Sequence, residues 1–197
     1  MEPYIILNQT TPNWEIVPAV ELRHTGWLEE VPVHAWAQLC YDEQGLWVRM
    51  EAEESPVRAT LREPLDEVYQ DSCLEFFLAP DPNDSRYINF EFNPLGNIYL
   101  GFGSTRPTRV RQIVGSIEEV FQPKPFFTEH GWGIIYHIPF SFIRNYFLNF
   151  EPRGEMAGNF YKCGDLTQQP HYMSWMPMYA DIPDFHRRQD FGVLYFE

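Results

Sequence analysis

The sequence predicts an all-β fold, an antiparallel β-sandwich of jelly-roll or immunoglobulin-like layers with one short helix. Three observations lead there. Apolar and polar residues alternate with period two in many short segments, the pattern of half-buried strands. Aromatics make up 17% of the 197 residues and there are 17 prolines, a mix that suits short strands joined by rigid turns and fits long helices poorly. Residues 139–147, with apolar side chains at helical spacing, are the one plausible helix. The length suits one domain over residues 1–197, with no repeat or interdomain linker.

Taken in order, residues 4–7 read as a first strand, and residues 8–32 as loop with short extended pieces. Residues 34–41 and 46–52 form a hairpin about the turn 42–45, with Leu46, Val48, Met50 and Ala52 on one face and Trp47, Arg49 and Glu51 on the other. The charged stretch 53–66, with Pro56 and Pro64, reads as loop. Two alternating segments, 71–78 and 87–93, flank a Pro/Asn/Asp connector that cannot continue a strand. Residues 98–103 alternate again. The stretch 104–115 carries Arg106, Arg109 and Arg111 and reads as a solvated connection, since no Gly-rich phosphate loop accompanies it. Residues 117–121 and 133–138 read as strands, 139–147 as the helix, and 151–158 as loop. Residues 158–165, 171–177 and 190–197 are the closing strands.

Composition bounds the function. A net charge of −14 argues against nucleic acid, whose phosphates it would repel, and against anionic membrane surfaces. The three cysteines, Cys40, Cys73 and Cys163, form no regular disulfide framework, and no CxxC or Cys/His spacing suggests zinc. No apolar run approaches a membrane span. The first residues lack the basic region and apolar length of a signal peptide. If Met1 is the natural start the expected location is the cytoplasm; if a signal peptide has been removed, it is extracellular or periplasmic.

The acidic hairpin holds the densest chemistry. Ile88, Phe90 and Phe92 share one face, and Asn89, Glu91 and Asn93 the other. On the first strand Asp71, Cys73 and Glu75 oppose Ser72, Leu74 and Phe76. Antiparallel pairing about the connector would set Asp71 near Asn93, Cys73 near Glu91 and Glu75 near Asn89, pooling three carboxylates and two carboxamides. By parity Tyr99 joins this face. Such a face serves either as a solvated outer surface or as a polar recognition surface. Asp81, Asn83 and Asp84 in the connector could hold a structural calcium through hard oxygens, although a turn explains them more simply; no other cofactor is expected.

Several segments, in order, resemble the family 9 carbohydrate-binding modules and their DOMON-type sandwich relatives. They are Tyr41-Asp42 before Leu46-Trp47-Val48; the D-S-x-x-E-F-F core from Asp71; and Tyr87 to Gly96, ending F-N-P-L-G. Then come Gly131-Trp132 leading to Ile138-Pro139-Phe140, residues 158–165, His171 to Trp175, and Pro183-Asp184-Phe185-His186 running to Asp190-Phe191-Gly192. The resemblance implies a sandwich that binds the end of a polysaccharide or a small oligosaccharide between two aromatic rings, with carboxylates, amides and a basic group on the hydroxyls. Carried onto this chain it points to Tyr69 and Trp175 as the rings, Tyr69 standing where the family usually has Trp. It also implies Glu75 as acidic ligand, with Asn93 and Asn159 at positions of polar contacts; Asp71 and Glu91 join them from the polar sheet face, and His171 from its place just before the second ring. Lys162 or Arg49 would be the cation. Trp175 also fits a core position among Met173, Met176 and Met178. Two readings compete with non-catalytic binding. One is a glycoside hydrolase using Glu75 with Glu91 or Asp71; the other is a DOMON-like haem binder, which would need Met50 with a histidine.

Overall fold

The structure is a computed structural model that describes residues 2–28 and 31–197. Among these, fourteen strands and two short helices follow one another: β1 (Tyr4–Asn8), β2 (Ala19–Glu21), β3 (His24–Thr25), β4 (His34–Tyr41), β5 (Gly45–Glu53), β6 (Cys73–Ala79), β7 (Tyr87–Phe92), β8 (Ile98–Gly103), β9 (Val110–Arg111), α1 (Ile117–Phe121), β10 (Lys124–Phe127), β11 (Gly131–Pro139), α2 (Phe140–Arg144), β12 (Glu155–Cys163), β13 (Tyr172–Ser174) and β14 (Gly192–Phe196). One layer runs β10-β11-β5-β4 with β2 beyond β4. The other runs β14-β12-β6-β7-β8-β9, with β13 and then β3 continuing from β12. β1 is the seam: Tyr4–Ile6 pair parallel with β14, and Leu7 and Asn8 pair parallel with Cys40 and Tyr41 of β4. The fold is therefore an all-β sandwich, antiparallel except along this seam.

The core lies between the layers and follows from period-two alternation. Leu46, Val48, Met50 and Ala52 point inward from β5, and Leu74, Phe76, Leu78, Ile88, Phe90 and Phe92 answer from β6 and β7. Phe92 meets Tyr136 at 4.6 Å between ring centres, and Phe76 stacks on Phe160 at 4.6 Å. Burying each such side chain contributes about 1.5–3 kcal/mol. Met50, the ligand a haem reading would need, is fully buried in this core.

The outer face of β6 and β7 departs from a solvated surface. Every residue of both strands is buried, because loops and short strands cover that face with a second apolar cluster. In it Phe77, Tyr87, Tyr161 and Phe185 pack together, with Tyr161 stacked on Phe185 at 4.2 Å.

Four local expectations change. The hairpin pairs Glu75 with Glu91 and Phe77 with Asn89, a register shifted by two residues from the expected one. A two-residue shift keeps every side chain on its face, so the polar face survives while the two glutamates become direct neighbours. Residues 117–121 form α1 rather than a strand, because Ser116 caps the helix by accepting from Glu119 N at 3.2 Å. Residues 124–127 add β10, which tolerates Pro125 because it is a sheet edge. The strand expected from residue 158 already begins at Glu155.

Candidate functional site

The covered face is not sealed. A pocket of about 470 Å³, counting the open space at its mouth, opens over the centre of the β7-β6-β12 sheet. Glu75, Glu91 and Cys163 form its floor. Their placement is a direct product of alternation: odd residues of β6, β7 and β12 all face this side. Gly101 and Gly103 of β8 keep the adjoining surface low. A methyl at Gly101 would collide with the Asn89 side chain, and one at Gly103 with the Arg109 backbone, so both segments can lie close over the strand.

The walls are aromatic and cationic. Tyr69, from the 3₁₀ turn before β6, leans on Tyr99 at 6.1 Å between ring centres. Trp27 meets Tyr172 edge-on at 5.8 Å and Phe185 at 6.0 Å, and its indole N–H is fixed by the carbonyl of Ala180 at 2.7 Å. Arg109 lies over the Tyr99 ring at 4.9 Å and 3.9 Å from Glu91 Oε1. Arg106 donates to the Pro183 carbonyl at 3.1 Å and holds the loop 183–186 over the pocket. His186 closes the set. The Arg109 guanidinium meets both of the His186 ring nitrogens, and Nδ1 lies 2.8 Å from Tyr87 Oη.

Burial dominates the electrostatics. It pushes the Glu75 carboxyl up to about 7, against the Cys163 thiol, which donates to Oε1 at 2.9 Å. Burial also lifts Glu91 well above the ordinary carboxylate range; the neighbouring Glu75 charge adds to this, while Arg109 and the Asn89 amide, 2.7 Å from Oε1, oppose it. Burial, then the charges of Arg109 and Arg106, drive His186 down to about 2, so it is neutral. The floor thus holds two facing carboxyls that burial biases toward the neutral form, with fixed cations at the rim.

Of the residues singled out in the sequence, Tyr69, Glu75 and Glu91 line this pocket. The others lie elsewhere, each with visible work. Asp71 is fully buried and accepts from Thr60 N and Oγ1 (both 2.8 Å), Leu61 N (2.9 Å) and Asn93 Nδ2 (3.1 Å), clamping the loop 58–61. Asn93 also receives Leu95 N and Asn97 N, closing the turn after β7. Asn159 holds the backbone of Met176 through both amide atoms, at 2.9 and 3.3 Å. Lys162 points to the opposite side of β12, into an ion pair with Glu54, and shares a 2.8 Å contact with His171 Nε2. Trp175 packs in the main core against Tyr4 and Phe160. Arg49 pairs with Glu51 and Gln38 on the other layer. In the connector, Asp81 accepts from Asn83 N and Asp84 grips Arg86, so their oxygens shape the turn.

The cations at the pocket come instead from the stretch expected to be solvated: the Arg109 side chain is only 12% exposed. Its signal was present, three arginines within six residues of a chain with only 14 Lys and Arg in all. Trp27 and Tyr172 carried no comparable mark. Among the described residues Cys73, Glu75 and Cys163 also form a cluster of metal-ligating atoms beneath the pocket.

The fold has close parallels. A candidate carbohydrate-binding protein from Bacteroides uniformis is 24% identical, with 98% of each chain covered and a TM-score of 0.84. A carbohydrate binding module family 9 from Caldicellulosiruptor kristjanssonii in complex with glucose is 14% identical over 100% of this chain and 96% of that one, with a TM-score of 0.69. The module from that organism in complex with cellotriose is 15% identical over 98% and 93%, at 0.68. No curated protein matches. The sequence pattern described as carbohydrate-binding family 9 matches residues 5–196, nearly the whole chain, and the protein therefore belongs to carbohydrate-binding family 9.

Proposed function

We propose that the pocket over β6 and β7 binds the end of a β-glucan or a short gluco-oligosaccharide without turning it over. The observation that carries this reading is the adjacency, in one pocket, of aromatic walls and a paired-glutamate floor. A pyranose offers apolar C–H faces and a rim of hydroxyls. Tyr69, Trp27 and Tyr172 in the pocket lining supply flat apolar area. Glu75, Glu91 and Arg109 supply acceptors and donors for hydroxyls, and bonds to charged groups contribute on the order of 1.5–3 kcal/mol each. The loop 183–186 lies across the pocket, which suits a chain terminus. The family membership and the glucose and cellotriose held by the two structural neighbours choose the sugars to try first.

Calorimetric titration with glucose, cellobiose, cellotriose and a wider mono- and oligosaccharide panel tests it. Binding is expected, and Tyr69→Ala and Glu75→Gln should each weaken it at least about tenfold, equivalent to roughly 1.4 kcal/mol. Absence of heat across the panel overturns the reading.

One observation favours a second reading. Glu75 and Glu91 face each other directly in a covered pocket that raises both, the environment a glycosidase acid needs. Turnover of an aryl-glucoside panel, abolished by Glu91→Gln, would move the protein to that class.

A further inference from the structure

We propose that the pocket floor is also a binding site for a borderline-soft divalent ion of the zinc class, held by Cys73, Glu75 and Cys163. The proposal shares Glu75 with the saccharide reading but rests on a different observation, strand register. β12 pairs antiparallel with β6 so that Cys163 stands directly opposite Cys73, and Glu75 follows two residues on, on the same face. The two sulfurs and a carboxylate oxygen all lie within 4.8 Å of one another. Even an equilateral triangle of that edge has its centre about 2.8 Å from each corner. Zinc sits about 2.3 Å from sulfur and about 2.0–2.2 Å from carboxylate oxygen, so side-chain shifts of roughly 0.5–0.8 Å close the site.

Donor chemistry and surroundings fit such an ion. Two thiolates with one carboxylate select zinc-class ions over calcium or magnesium, which take oxygen shells. Three protein ligands leave a fourth position, as in zinc sites that keep water or substrate. Cys163 and Glu75 line the pocket while Cys73 lies behind them, so that position and the entry path both face the pocket. The ion brings two positive charges to three negative ligands, and the Arg109 and Arg106 guanidiniums on the pocket wall balance the remainder. Binding forms two metal–sulfur bonds and one metal–oxygen bond and sends to solvent the two thiol protons and any proton on the Glu75 carboxyl; no electrons are transferred. The third cysteine, Cys40, belongs to β4 in the other layer and serves as an internal control.

The test is titration of the full chain, kept reduced by a phosphine, with Cd²⁺ as probe and Zn²⁺ as competitor. The expected result is a cadmium–thiolate charge-transfer band saturating at one ion per chain and displaced by Zn²⁺. It should be abolished in Cys163→Ser and Cys73→Ser, unchanged in Cys40→Ser, and at least about tenfold weaker in Glu75→Gln. If the Cys73 and Cys163 variants fail to fold, cadmium NMR of the unaltered chain counts the sulfurs: two supports the site, none or one overturns it. Absence of the band, its persistence in folded Cys163→Ser, or its displacement by excess Ca²⁺ also overturns it. Saccharide titration in chelator is unaffected by any of these outcomes, so the two readings fail separately.

Discussion

At the scale of single residues, the side of a strand was easier to read than the purpose of a side chain. Glu75, Glu91 and Tyr99 follow from parity alone, because alternation on a pleated strand is local. Trp175 shows the limit. Its place in a Ser-Trp motif suggests a platform, yet its backbone N–H bonds Phe160 O at 3.0 Å and its ring turns into the core beside Tyr4. Truncating it should leave a cavity: Trp175→Ala is expected to cost about 3–5 kcal/mol of stability, read by chemical denaturation. Saccharide affinity of the folded fraction should stay within a few-fold of the parent, in contrast to Tyr69→Ala. Lys162 carries the same lesson, since charge suggests a ligand and only packing shows that its ammonium is spoken for by Glu54.

At the scale of elements, strands were legible where alternation was long and unbroken, as in β4, β5, β6, β7 and β8. The misreadings have physical causes. In α1, Ile117, Val120 and Phe121 are apolar at helical spacing and Ser116 stands three before Glu119, as at the start of a capping box; five residues are too few for that pattern to stand out against a short strand. Ser116→Ala should lower stability by about 1 kcal/mol and lower the melting temperature by a few degrees without touching saccharide affinity. β10 was hidden by Pro125, which only an edge strand admits. The β6–β7 register was mis-set by two residues because the loop 80–86 does not dictate pairing; the match of Leu74 to Phe92 and Phe76 to Phe90 in the core does.

At the scale of the whole molecule, the two layers are tied by β1 and by a buried ionic cluster. Glu54 follows β5 in one layer; Lys162 belongs to β12 in the other; His171 bridges them, 3.6 Å from Glu54 and fixed through Nδ1 by the Gln169 carbonyl at 2.7 Å. Burial alone would raise the Glu54 carboxyl, but the Lys162 ammonium beside it, then the nearby His171 and Ser72 side chains, outweigh it and hold the group down at about 2. A depressed carboxylate stabilises the fold above its ordinary value of 4.5, and that contribution is lost as pH falls through about 2. Glu54→Gln should therefore cost about 3–5 kcal/mol near neutral pH, where it strands the Lys162 charge. The gap to the parent should narrow as pH drops below 4.5, read by denaturant melts at a series of pH values. A gap that stays constant with pH would show that the ion pair is not what links the layers.

The sequence by itself determined that the chain is a β-sandwich, where most strands lie and which face of β6 and β7 is polar, because propensity and period-two alternation act between near neighbours. Only the tertiary structure decided that this face is roofed, that Trp27, Arg109, Tyr172 and His186 converge on Glu75 and Glu91, and that Cys73 meets Cys163. Those pairings join residues tens of positions apart, and they are set by how the layers and covering loops pack, which no local pattern encodes.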